Sequence, residues 1–164
     1  MDTIQHLKDE YTYEYNVTKK FFNLFPAGKD DYAPHEKSMK LLRLVTHIAE
    51  IFGWPAFILH TDGLDFTDPY ERDTIENRED LLASLEKNYL ASMESLDKAT
   101  EKDLEPSWSL KNQGQVIVSW SKYGAMRHGL NQITHHRAQL GVYYRLLDIK
   151  VHASYGPSAD EQNF

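Results

Sequence analysis

Cysteine is absent from the 164-residue chain, which excludes disulfides, thiolate zinc sites, iron–sulfur clusters and a cysteine nucleophile. Any metal site must be built from histidine and oxygen ligands. A basic excess is lacking as well: 18 Lys and Arg face 25 Asp and Glu, for a formal net charge of −7. That balance argues against nucleic acid or a membrane surface as partner, because phosphates need basic neutralisation. No long apolar run is present. Residues 51–59 are interrupted by Gly53 and Pro55 and are too few to span a bilayer. The opening residues, Met1-Asp2-Thr3-Ile4-Gln5-His6, have neither the basic nor the apolar region of a signal peptide, so a soluble cytoplasmic protein is expected. Phosphate-binding Gly-rich loops are missing, and with them any expectation of a nucleotide cofactor. The Gly-x-Ser-x-Gly elbow, the His-Glu-x-x-His pair and the Glu-x-x-His pairs of di-iron bundles are missing too.

What is present is helical patterning in a globular composition, 41% hydrophobic and 26% charged. The length predicts one domain over residues 1–164, burying about two-thirds of its unfolded surface. Ile4, Leu7, Tyr11, Tyr15, Thr18 and Phe22 follow three- and four-residue steps, and Pro26-Ala27-Gly28 ends that helix. A second helix is predicted from Pro34 through Leu41, Leu44, Val45, Ile48, Ala49 and Phe52, ending or kinking at Gly53-Trp54-Pro55. Residues 61–74 read as an irregular loop. Asn77 with Asp80 three positions on forms the start of a third helix, continued by Leu81, Leu82, Leu85, Tyr89, Met93 and Leu96. Residues 104–118 are ambiguous: an extended, turn-rich connection, with a short strand pair as one option. The fourth helix is predicted from residue 119 to residue 147, its buried stripe formed by Tyr123, Leu130, Ile133, Leu140, Tyr143, Tyr144 and Leu147. The fold class that follows is all-α: a four-helix bundle with longer connections between helices two and three and between three and four. Most tyrosines are expected in the core or at a dimer contact, and Trp54, Trp108 and Trp120 at the bundle ends.

The charge is unevenly spread. Residues 107–152 carry Lys111, Lys122, Arg127, Arg137, Arg145 and Lys150 against Asp148 alone, and hold His128, His135, His136 and His152. Two readings stand open: a basic helix packed between acidic neighbours, or a locally positive site for an anionic ligand. Arg137 likewise reads either as one half of an ion pair or, with Arg127, as a holder of anionic substrate.

Histidine on apolar helices is the remaining candidate for chemistry. His47 sits at the border of the second helix's buried face, with Glu50 one turn on as a carboxylate able to orient it. On the fourth helix, side chains four apart stand one above the other, so His128 with Gln132, or Gln132 with His136, can share an ion. His128 and His136 are about 12 Å apart along the axis, too far for one metal to join. His135 points about 100° away from His136.

His47, the run Asn131-Gln132-Ile133-Thr134-His135-His136-Arg137-Ala138-Gln139-Leu140 and the ending Tyr155-Gly156-Pro157-Ser158-Ala159-Asp160-Glu161 together resemble the DinB family, also called DinB/YfiT-like. The resemblance spans nearly the whole chain. It implies a four-helix bundle with an ordered tail from about residue 150, a homodimer, and a divalent metal, zinc or nickel, held by three histidines in a cavity between helices two and four. Carried over by position, the ligands are His47, residue 132 and His136, with His128, Glu50 and Arg137 as accessory positions. This sequence departs from the pattern at Gln132, where the family has histidine, and at Ala138, where it has glycine. An amide oxygen is the poorer donor for borderline metals, unless His128 or His60 completes the set. The activity implied is that of a metal-dependent transferase or hydrolase, acting with an anionic or thiol-containing small molecule. The alternative is a non-catalytic small-molecule-binding or stress-associated module whose metal site has degenerated.

Overall fold

The computed structural model describes residues 2–69 and 72–163. Helix α1 (Thr3–Phe22) opens on Asp2, whose side chain accepts from the Gln5 amide. Helix α2 (Leu41–Ile51) and the short α3 (Trp54–His60) follow, then strand β1 (Gly63–Asp65) and helix α4 (Arg78–Lys98). A turn of 3₁₀ helix at Glu101–Leu104 leads into β2 (Ser107–Asn112), β3 (Gln115–Ser121) and the long α5 (Lys122–Leu146).

The all-α expectation is therefore corrected: among the described residues five α-helices accompany a three-stranded mixed sheet ordered β1-β2-β3. β2 and β3 are antiparallel, and β1 joins β2 in parallel, Leu64 opposite Leu110. Local chemistry explains the hairpin. Gln113 and Gly114 take positive φ of 52° and 76°, the sense of turn that matches the strand twist, and Val116, Ile117 and Val118 are β-branched. Parallel pairing of β1 depends on Gly63, where a Cβ would stand 2.4 Å from the Ser109 carbonyl oxygen. The predicted loop over residues 61–74 thus contains a strand. The fourth predicted helix starts three residues late, because Ser119 to Ser121 finish β3 and Ser121 caps α5 by accepting from the Gly124 amide at 3.1 Å.

The second predicted helix is also shorter than expected. Residues 34–38 form turns, and the amides of Leu41 and Leu42 donate back to the carbonyls of Tyr32 and Asp30 at 2.8 and 3.0 Å. These bonds hold the helix entry where Lys40 supplies no side-chain cap. The break at Gly53 with Pro55 in the first turn of α3 falls where it was expected, and the chain bends by 50° there. No single described helix is long and apolar enough to cross a membrane; only α2 with α3 reaches that length and composition, as a bent pair.

The core lies between α1, α2, α4 and α5. Tyr11, Phe22, Leu44, Ile48, Phe52, Leu85, Ile133 and Tyr144 have no exposed surface. Buried tyrosines keep their hydroxyls satisfied: Tyr11 donates to the Met126 carbonyl and Tyr144 to that of Phe21, each at 3.0 Å. Tyr123, expected in the buried stripe of the last helix, is exposed.

Candidate functional site

Helix α2 presents Arg43, His47 and Glu50 on one face, spaced four and three residues apart. Helix α5 crosses it and brings His136 alongside: the two imidazole centroids are 4.9 Å apart, nearly edge-on at 72°. Each ring turns its Nδ1 towards a side-chain oxygen. For His47 the neighbour is Glu50 Oε2 at 3.5 Å; for His136 it is Gln139 Oε1 at 3.1 Å. Gln139 also reaches His135 Nε2 with its own Nε2, at 3.0 Å. An amide oxygen only accepts and an amide nitrogen only donates, so with the amide oriented this way His136 carries its proton on Nδ1. Its Nε2 lone pair is left free. Burial lowers the pKa of His136 from its ordinary 6.5; Gln139 opposes this, and the charges of His47, His135 and Arg43 add to the lowering. A neutral imidazole with one nitrogen anchored and the other bare is the state a metal ligand needs.

Glu50 is the electrostatic centre of the neighbourhood. Burial acts to raise its carboxyl pKa, but hydrogen bonds from His47 and Arg43 and the charges of Arg43 and Arg72 outweigh that, and it lies below the ordinary 4.5. Arg43 donates to Oε2 at 3.1 Å, and Arg72 Nε stands 3.5 Å from Oε1. Among the described residues no hydrogen bond reaches that buried Oε1.

The structure thus brings His47, His136 and Glu50 together. Gln132 lies one turn before His136, half-buried, its side chain without a hydrogen bond among the described residues. No three histidine, aspartate or glutamate side chains among the described residues converge so as to hold an ion. His128 is engaged elsewhere, stacked on Trp120 at 4.8 Å and facing Trp54 at 6.3 Å. His60 points to Ser95, its Nε2 3.5 Å from the hydroxyl. Neither completes the pair. Arg137 is buried in an ion pair with Glu14, supported by Thr18 Oγ1 at 3.2 Å, and Arg127 pairs with Glu10. Of the two readings of Arg137, the ion pair is the one observed.

Beside His47 opens a cavity of about 370 Å³. Its walls are α2, α3, the β1 segment and Asn88 of α4, with Trp54, Phe57, Leu64 and Phe66 as the apolar part. None of its lining comes from α5. His47 is shared between the cavity and the imidazole pair. Trp54 lines it instead of closing a bundle end. Arg43, Arg72 and Phe66 were not read from the sequence. The four-residue step from Arg43 to His47 was a usable signal, whereas Arg72 and Phe66 arrive from an irregular segment and had none.

The tail of the resemblance is structural. Tyr155 donates its hydroxyl to Glu14, and its ring lies 5.7 Å from the Arg137 guanidinium. Ser158 accepts from the amides of Asp160 and Glu161 at 3.1 and 2.9 Å and donates to the Val151 carbonyl at 2.6 Å.

The DinB family model matches residues 1–163. The chain belongs to the DinB family. Solved DinB-like structures share its fold. A DinB-like protein (YjoA) from Bacillus subtilis aligns with a TM-score of 0.70 at 18% identity, covering 96% of this chain and 99% of its own. One from Bacillus cereus aligns at 0.70 and 19% identity over 93% and 99%. A DinB-family member from Exiguobacterium sibiricum aligns at 0.63 and 20% identity over 92% and 97%. At these identities the likeness concerns the fold alone. No curated protein matches this DinB chain.

Proposed function

We propose that this DinB protein is a small-molecule enzyme holding a divalent metal, zinc or nickel, through His47, His136 and Gln132, with His47 shared between that site and the cavity beside α2. The observation that carries the reading is the pair of adjacent imidazoles: the centroids lie 4.9 Å apart, and each Nδ1 faces its own side-chain oxygen. Two imidazoles suit a borderline metal, and an amide at residue 132 fills the third position with a weaker donor. Glu50 and Gln139 orient the rings, and His136 stays neutral so that it can bind metal instead of a proton. When bound, the ion would lower the pKa of a water or thiol at its open position. With no cysteine in the chain, a thiol must come from a small-molecule cosubstrate.

Zinc and nickel titration of the protein tests this. Wild type should bind one ion weakly, His136→Ala should not bind it, and Gln132→His should bind at least roughly tenfold more tightly, about 1.4 kcal/mol. Identical titrations of wild type and His136→Ala would sink the metal reading. A second reading, a non-catalytic binding module, is favoured by the absence of a third histidine or carboxylate ligand among the described residues. That reading expects no stoichiometric metal in any of the three proteins.

A further inference from the structure

The cavity beside His47 carries a charge count of its own. Two guanidinium groups, Arg43 and Arg72, converge on the single carboxylate of Glu50. The two guanidinium groups thus outnumber the one carboxylate they share, although Asp65 and Asp68 also line the cavity. Of the acids nearby, Asp65 is committed to the β-hairpin, accepting from the amides of Gln113 and Gly114 at 3.1 and 2.7 Å. Asp68 lines the cavity from the exposed loop. Arg72 approaches Glu50 through Nε and keeps 56% of its side chain exposed. A planar fork suits a carboxylate in bidentate geometry.

Apart from His47 and Asn88, the remainder of the lining is apolar and only partly covered. Phe57 and Phe66 are 40% and 60% exposed, large rings that this chain leaves open around the cavity mouth. Trp54 and Leu64 continue the same wall. A cavity of about 370 Å³ accommodates a single ring with a short chain.

We propose that this cavity binds an organic monocarboxylate with a ring-sized apolar body, its carboxylate on Arg72 and Arg43 and its body against Trp54, Phe57 and Phe66. The proposal rests on the reading above only in taking this cavity for the small-molecule site; it needs no metal. Because the whole chain carries a net charge of −7, non-specific attraction of anions is not the cause of binding.

The probes are 4-phenylbutanoate and 4-phenylbutan-1-ol, which share a body and differ in charge, titrated calorimetrically into the full-length protein in EDTA. The acid is expected to bind at one site and at least tenfold more tightly than the alcohol. Arg72→Gln, with its unfolding midpoint checked against wild type, should weaken the acid at least tenfold and leave the alcohol unchanged. His136→Ala should retain the acid. Equal affinity for acid and alcohol, no saturable binding of the acid, or an Arg72→Gln protein that binds the acid as wild type does would each overturn the proposal. Tighter binding of phenyl phosphate than of the carboxylate would overturn it in favour of a phosphate ester. Failure here with an intact zinc titration leaves the metal reading standing; success here with no metal binding removes the metal reading alone.

Discussion

Glu14 and Arg137 are each only 3% exposed at the side chain, and they are what the core between α1 and α5 must accommodate. Arg137 donates to the Glu14 carboxylate, to Thr18 Oγ1 and, at 3.4 Å, to the Glu14 carbonyl, while Tyr155 covers the pair from outside. A buried ion pair gains little net free energy, since desolvation offsets attraction, but removing one partner strands the other. Arg137→Met should therefore cost about 3–5 kcal/mol by leaving the Glu14 carboxylate buried and unpaired. Adding Glu14→Leu should restore most of that loss, as a double-mutant cycle in urea would measure. Equal instability of the single and double variants would mean that Arg137 matters through its packing, not its charge. The same residue shows why sequence reasoning divided over it: an arginine beside two histidines fits a substrate contact or a core pair equally, and only the position of Glu14 decides.

At the scale of the elements, the short β1 strand is what separates this molecule from a plain bundle. It shapes the cavity, since Leu64, Asp65 and Phe66 form one side of it. Its anchor is Asp65, which also accepts from the amide and hydroxyl of Thr67 at 3.0 and 2.7 Å. These bonds hold its carboxyl down at about 2 from 3.8. A group depressed on folding contributes stability that is full above its unfolded value and is lost as pH falls through the folded one. The anchor should thus persist well below pH 3.8 and fail only near 2. Asp65→Ala should speed hydrogen exchange at the Gln113 and Gly114 amides at least about tenfold at neutral pH, because both lose their acceptor. Unchanged exchange would show that the turn holds itself. None of this was legible in the sequence. A three-residue strand has no periodicity of its own, and its partner in β2 lies 46 residues further on, Gly63 opposite Ser109. By contrast α1, α4 and α5 were legible within a few residues, from the helical spacing of Leu7, Tyr11 and Phe22, the Asn77 cap and the run from Leu130 to Tyr144. His47 and His136 were legible through the family resemblance. The cavity's arginines and rings were not, because they converge from separate segments.

For the whole molecule, the division of charge now has a structural meaning. Three of the six cations of the basic last third are paired by acids from other elements: Arg127 meets Glu10, Arg137 meets Glu14, and Arg145 meets Asp160 at 2.6 Å. Two of those acids come from α1 and one from the tail, so the basic helix is packed between acidic neighbours. The tail completes this by crossing from α5 back to α1. Tyr13 donates to the Ser154 carbonyl at 2.8 Å and its ring faces Tyr155 at 5.9 Å. Tyr155 touches Thr134 at 3.2 Å and Glu14, and Asp160 receives Arg145 and the Val151 amide. A strap of this kind adds stability by excluding water from the Glu14–Arg137 pair, without taking part in the cavity, whose lining contains no tail residue. A chain ending at Ile149 should keep the helical circular dichroism of the full protein, since every described helix lies before that point. Its urea midpoint should fall, because water then reaches a charge pair that the strap had covered and α1 loses its outer tether to α5. Binding of 4-phenylbutanoate should stay within about twofold of the full chain, a difference of about 0.4 kcal/mol. An unchanged midpoint would show the strap to be a passive surface segment, and a loss of carboxylate binding would couple it to the cavity across the core.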